Sequence, residues 1–263
     1  MISYEPKPFT EEVNYTRKSP VVQLFKLLAC LGALFVGVFI LLGMSTDFLA
    51  GFVPVSWEKS IGEMYDSAFP VNMHDPRTRR LHGLLEQLTP HMEESDSRLT
   101  YSICVEDNSM VNAMALPGGR IVVFSGLLRE LRSDQEILFV LAHELGHFHH
   151  RDHLRRLGRG LITLLISSMI PGPSGGSASG VVDVIANSMN MAYSRSQERD
   201  ADLYALELLY KATGSTQGAE AFMRRLESME PDLGLLYFFS THPSPAERRE
   251  YISEASAWYE RGE

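Results

Sequence analysis

The distribution of apolar and polar positions divides the chain into one unbroken apolar run and a patterned remainder. From Leu27 to Met44, eighteen residues pass without a charge (LLACLGALFVGVFILLGM). Wound as a helix they extend about 27 Å, close to the hydrocarbon thickness of a bilayer, so the run reads as a transmembrane helix. Gln23 and Lys26 form its polar start, where a lysine stem can reach back to water. Downstream the pattern turns helical: SWEKSIGEMYDSAF follows Val53-Pro54, and RTRRLHGLLEQL from Arg77 sets Leu81, Leu84, Leu85 and Leu88 at helical spacing. Leu99–Val105 and Arg120–Phe124 are short and β-branched, with Pro117-Gly118-Gly119 as a turn, which predicts a small antiparallel sheet. The clearest helical stripe, SDQEILFVLAHELGHFHHRDH, opens with Ser133 and Glu136 in capping-box spacing. Leu161–Ile170 is apolar but too short to span, and fits a buried helix or a membrane-surface patch. Pro171–Gly180 reads as a loop, Val181–Tyr210 as helical with a break near Ser194, and the stretch from Pro245 as a charged helix. Together these elements predict an α+β fold that is mainly helical.

A chain of 263 residues has room for a tail, one span and a single domain of about two hundred residues. The expected boundaries are a cytoplasmic tail over 1–20, the span over 21–44, a linker over 45–52 and one soluble domain over 53–263. Lys7, Arg17, Lys18 and Lys26 precede the run and only Lys59 follows closely, so the positive-inside rule sets the N-terminus in the cytoplasm. A cleaved signal ending near Phe48-Leu49-Ala50 fits poorly because its basic region is too long. A lipoprotein reading at Cys30 fails because most of the apolar run follows that cysteine, and the acids Glu5, Glu11 and Glu12 argue against a transit peptide. The expected location is therefore a bacterial inner membrane, with the C-terminal part periplasmic. A net charge of −9 excludes a basic, phosphate-neutralising face and with it nucleic acid as a partner. Two cysteines, one in the apolar run and one in a strand, make no disulfide framework.

The chemistry centres on His143-Glu144-Leu145-Gly146-His147, an HExxH motif on the predicted helix. Residues four apart differ by only about 40° around a helix axis, so both imidazoles can reach one metal ion. Glu144 projects toward the metal-bound water as its base rather than as a ligand. With no cysteine nearby to close a structural site, an open catalytic zinc site is expected, its third ligand drawn from another helix. SQERDAD supplies Glu198, with Asp202 one turn later on the same face and placed to hydrogen-bond a metal-bound histidine, His143 being the expected one. Read without the HExxH motif, Glu198 and Asp202 would instead form a solvated charged face with Arg195 and Arg199. His149, His150 and His153 read as surface or supporting residues, because Glu198 is the better third ligand.

Four ordered segments, NAMALPGGRIVVFSGLL, HELGHFHHRDH, SRSQERDAD and STHPSPAERR, resemble the membrane-associated gluzincins, the zinc metallopeptidase family of the CAAX prenyl protease, HtpX, BepA and the OMA-type proteases. The resemblance runs from about Val53 to Tyr251. It implies hydrolysis of peptide bonds in proteins or peptides, one Zn2+ per chain and a small α+β catalytic domain. It also implies that Asn112–Pro117 is an edge strand on which substrate pairs, with the backbone of Met114 and Ala115 near the peptide; a core strand with a tight turn fits the same residues. His242, in a segment that in relatives lies over the active site, is by the same resemblance a removable fourth ligand. Arg248 is either close to the substrate and its developing oxyanion or in an ion pair with an acidic neighbour. Substrates expected on this basis are misfolded or unassembled proteins at the membrane. A chaperone-like module that only retains zinc is the rival reading.

Overall fold

The computed structural model describes residues 19–168, 191–229, 238, 240–242 and 245–261. The chain divides into two units, Met1–Met44 and Ser45–Glu263. The first carries most of α1 (Pro20–Leu49), the one helix among the described residues long and apolar enough to cross a membrane. Its apolar side chains are exposed, Leu27 at 65% and Leu34 at 64%.

In the second unit, α2 (Val55–Glu63) and α3 (Pro76–Leu88) lead to a three-stranded sheet. Asp75 caps α3 by accepting the Arg77 backbone N–H at 2.8 Å, with Pro76 at the first helical position. The strands are β1 (Ser102–Glu106), β2 (Ala113–Leu116) and β3 (Arg120–Phe124), in the order β1-β3-β2. The sheet is mixed and not antiparallel throughout, which corrects the sequence expectation: β3 pairs antiparallel with β2 but parallel with β1. Strand length and β-branching report that a strand exists, whereas its partner is set by which face of a distant segment needs cover. The hairpin between β2 and β3 turns on Gly118 and Gly119, at φ 85° and 84°, where a side chain would be strained.

Alternation along the strands serves two layers. Ile103, Ala113, Ala115, Ile121 and Val123 join the main core with α3 and α5, and Cys104, Met114, Leu116, Val122 and Phe124 pack with Tyr65 and Ile61. After the short α4 (Ser125–Glu130) comes α5 (Asp134–His149), buried from Glu136 to Phe148. Ser133 caps it by accepting from the Glu136 N–H at 3.2 Å, but the Glu136 carboxylate takes the Arg132 N–H at 2.6 Å, so the reciprocal half of the capping box is not made. The HELGHFHHRDH stripe, expected as one helix, breaks at Arg151, whose φ of 59° is left-handed, and restarts as α6 (Asp152–Ser168). Then come α7 (Arg195–Thr213), α8 (Gln217–Ser228) and α9 (Pro245–Glu260). Ser194 and Gln197 form a complete capping box at the start of α7, and Gly214 in the left-handed region ends it. The expected loop at 171–180 lies outside the described residues.

The approach of α5 to α7 depends on one glycine. A Cβ on Gly146 would lie 2.8 Å from the Ala201 carbonyl oxygen and 2.9 Å from its Cα, so the two backbones meet where only hydrogen fits.

Candidate metal centre

Helix α5 presents His143 and His147 one turn apart, and their Nε2 atoms converge to 3.1 Å. Glu198, in the first turn of α7, comes against both: its Oε2 is 3.7 Å from His143 Nε2 and its Oε1 3.5 Å from His147 Nε2. The other nitrogen of each ring faces a carboxylate. His143 Nδ1 is 2.8 Å from Asp202 Oδ1, and His147 Nδ1 is 3.0 Å from Asp152 Oδ2. A carboxylate at Nδ1 favours the proton there and leaves the Nε2 lone pair directed at the shared point.

Asp202 therefore lies where the sequence reading put it, beside His143. Asp152 was not anticipated. It sits five residues past His147, just after the Arg151 break, and is itself held by Gln197 Nε2 at 2.7 Å and Arg155 Nη1 at 2.9 Å. Tyr193 is the other unexpected neighbour, its ring stacked on His147 at 3.7 Å and 13°. An acid shortly after an HExxH motif was the available signal for Asp152; nothing in the sequence pointed to Tyr193.

His242 joins the same group, its Nδ1 2.9 Å from Glu198 Oε1. One donor atom from each of His143, His147, Glu198 and His242 falls within 4.8 Å of the others. Ligands around a tetrahedral zinc lie about 3.3 Å apart, so this set fits one ion of that size. Glu144 is buried beside them, and its Oε2 has no hydrogen-bond partner among the described residues. A fold tolerates a bare buried carboxylate oxygen mainly where a reacting group supplies the partner.

Arg248 is 3% exposed and its guanidinium is taken up by two carboxylates. Nε and Nη2 each donate to Asp202 at 2.8 Å, and Nη1 lies 2.7 Å from Glu198 Oε2. Of the two roles open to it, the geometry supplies the ion pair and leaves no free fork for a substrate oxygen. Tyr251 Oη adds a donor to Asp202 at 2.5 Å.

The electrostatics follow from this crowding. Burial alone would raise the Glu198 carboxyl, but His242 and Arg248 outweigh it and hold the group well below the usual range. The Asp202 carboxyl, also opposed by burial, is brought down to about 2 by Arg248 and His143. For His147, burial disfavours the charged ring, yet Asp152 and Glu198 prevail and push it up to about 9, so without metal a proton sits on Nε2 and an incoming ion displaces it to reach the lone pair. The centre is thus an anionic pocket that favours a cation among its imidazoles.

The expected substrate strand is β2, one of the sheet's two edge strands, and Asn112 to Leu116 are all buried. The Asn112 carbonyl accepts the Phe124 N–H at 3.0 Å, while its side-chain Oδ1 has no partner among the described residues. Of the remaining histidines, His149 Nδ1 pairs with Asp96 at 3.0 Å and His153 Nε2 with Glu58 at 2.8 Å, so neither is a ligand. Asp152→Ala should weaken divalent-metal binding about 10- to 100-fold, measured by competition with a chromophoric chelator; an unchanged dissociation constant would show that Tyr193 stacking alone holds His147.

Two imidazoles one turn apart on a helix, met by a carboxylate from a second helix, define the HExxH metallopeptidase class. The signature of peptidase family M48 spans residues 75–256, and the chain belongs to that family. The chain is similar to the mitochondrial metalloendopeptidase OMA1 of Arabidopsis thaliana, at 28% identity over 70% of this chain and 36% of the relative. It is 33% identical to the metalloprotease YcaL of Escherichia coli over 57% of this chain and 59% of that protein. A mitochondrial metalloendopeptidase OMA1 from Schizosaccharomyces pombe is 26% identical over 80% of this chain and 62% of its own length. The chain thus matches less than two thirds of each relative.

Proposed function

We propose that this chain is a zinc-dependent metalloendopeptidase, anchored in a membrane by α1, whose metal is held by His143, His147 and Glu198. The observation that carries the reading is the convergence of three buried donors from two helices, each imidazole backed by its own carboxylate. When bound, zinc supplies Lewis-acid polarisation of the scissile carbonyl and acidifies the attacking water. Glu144 takes the proton from that water and delivers it to the leaving amine. Asp202 and Asp152 keep the two rings in the ligating tautomer, and Arg248 positions Glu198 and Asp202 without touching substrate. The backbone of Met114 and Ala115, with Asn112 at its start, receives an extended peptide as an added strand on β2. The proposed domain plan is a tail over 1–20, a span over 21–44, a linker over 45–52 and a catalytic domain over 53–263. The cytoplasmic N-terminus and periplasmic catalytic domain in a bacterial inner membrane rest on the lysine and arginine distribution before α1. Anchoring confines the site to proteins near the bilayer, so misfolded or membrane-associated proteins are the proposed substrates.

The rival, a zinc module without catalysis, is favoured by one observation: His242 makes a fourth donor, and four protein ligands are the mark of a closed structural site. In the catalytic reading His242 is a removable cap. The two part on His242→Ala. The catalytic reading expects retained zinc and basal cleavage of an unfolded test protein raised about tenfold, abolished by chelation and restored by zinc. A His242→Ala protein with full zinc and no cleavage supports the structural module.

A further inference from the structure

The segment that follows α1 packs against two parts of the candidate site at once. Arg151, at the α5–α6 break, donates from Nη1 to the carbonyls of Ala50 at 2.8 Å and Gly51 at 3.0 Å, and from Nη2 to that of Val53 at 2.9 Å. Arg151 itself sits at φ 59°, a left-handed conformation that a residue with a side chain rarely adopts. The next residue in the chain is Asp152, the carboxylate on His147 Nδ1. Glu58, 1% exposed on α2, reaches the same turn, with Oε1 2.8 Å from His153 Nε2 and Oε2 3.5 Å from Arg151 Nη2. His153 Nδ1 in turn lies 3.3 Å from the His147 carbonyl oxygen.

Helix α2 has a second attachment. The Glu58 backbone carbonyl oxygen lies 3.7 Å from where a Cβ on Gly118 would sit, in the turn that ends β2. Nearby, α2 touches that turn backbone to backbone: a Cβ on Gly62 would lie 2.7 Å from Gly118 Cα and 2.8 Å from the Pro117 carbonyl oxygen. Burial alone would raise the Glu58 carboxyl, but His153 and Arg151 hold it lowered, so it stays ionised between the two turns.

We propose that Ala50–Gly62 is a positioning bracket for the reaction centre, fixing through Arg151 and Asp152 the ring of His147 and, through the backbone contact of Gly62 with Gly118, the β2–β3 turn beside the peptide-binding strand. Neither Arg151 nor Glu58 touches substrate or metal; each acts through a neighbour. The proposal rests on the metallopeptidase reading and adds a support that the HExxH motif does not contain.

The test uses the full-length protein in detergent with two variants. Arg151→Gly removes the guanidinium but accepts the left-handed backbone, so the turn is not strained by the change. Glu58→Gln keeps the shape and removes the charge. Zinc affinity is read by chelator competition, ligand geometry by the visible spectrum of the cobalt(II)-substituted protein, and folding by chemical denaturation of the metal-free chains. Both variants should bind zinc about 10- to 100-fold more weakly with a changed cobalt spectrum while remaining folded. Glu58→Gln alone should also raise KM for a peptide substrate several-fold, because only Glu58 stands on α2, the helix that meets the β2–β3 turn at Gly62. Unchanged zinc affinity in folded Arg151→Gly protein overturns the bracket even if Glu58→Gln does not fold. Equal KM values in the two variants overturn the hold of α2 on the β2–β3 turn. A wild-type chain that takes up no divalent metal overturns the metallopeptidase reading and the bracket with it.

Discussion

Glu144→Gln protein binds zinc as the wild type does and loses cleavage of an unfolded test protein by about 10²- to 10⁴-fold, the range that a positioned proton-transfer group contributes. The expectation follows from where Glu144 stands. It shares the helical turn of the two imidazoles without sharing their bonds, and one of its oxygens is buried with no partner among the described residues. Glutamine fills the same volume, so neither α5 nor the approach of α7 is disturbed. Metal content by atomic emission and turnover on a quenched fluorescent protein substrate are the paired measurements. Loss of zinc together with activity would make Glu144 a structural group; full activity with zinc in place would remove it from the chemistry.

Arg248→Ala is expected to have the largest effect on folding. The guanidinium is the cation that buried Asp202 and Glu198 share, and truncating it leaves two carboxylates facing each other within the core. Removing one partner of a buried ion pair costs about 3–5 kcal/mol. The loss should be greatest in metal-free protein and partly offset by saturating zinc, because an ion bound only by the native state stabilises it by mass action. Chemical denaturation with and without zinc reads both numbers. Arg248→Lys should recover little, since an ammonium cannot bridge Asp202 in two bonds and reach Glu198 as well. Equal stability of wild type and Arg248→Ala would show that the carboxylates protonate at little cost.

The two motifs that converge on the candidate centre were legible because their geometry is local. His143, Glu144 and His147 belong to one helix, Glu198 and Asp202 to another, and helical periodicity settles which side chains share a face. What periodicity does not carry is the pairing of elements far apart in sequence. The parallel alignment of β1 with β3 was missed for that reason, and so was Asp152, whose placement depends on a helix break at an arginine that no propensity scale marks as a turn residue. Arg248 shows the limit from the other side: the STHPSPAERR segment suggested that it belongs near the centre, but only coordinates separate an oxyanion partner from the counterion of a ligand. Gly146 looked like filler between two histidines, and its role is visible only once Ala201 lies against it.

That glycine contact also separates the donors into two kinds. His143, His147 and Glu198 sit on two helices whose backbones touch at Gly146 and Ala201. His242 comes from a separate stretch of chain, joined to the start of α7 through the Tyr193 N–H and the Thr241 carbonyl. With His242 as the removable cap proposed above, an enzyme so built would be stored fully loaded with its metal and yet silent, its own side chain doing the job of an inhibitory propeptide. Waking it would require no cut in the chain and no exchange of the ion, only the departure of one imidazole, and the same step run backwards would put it to sleep again.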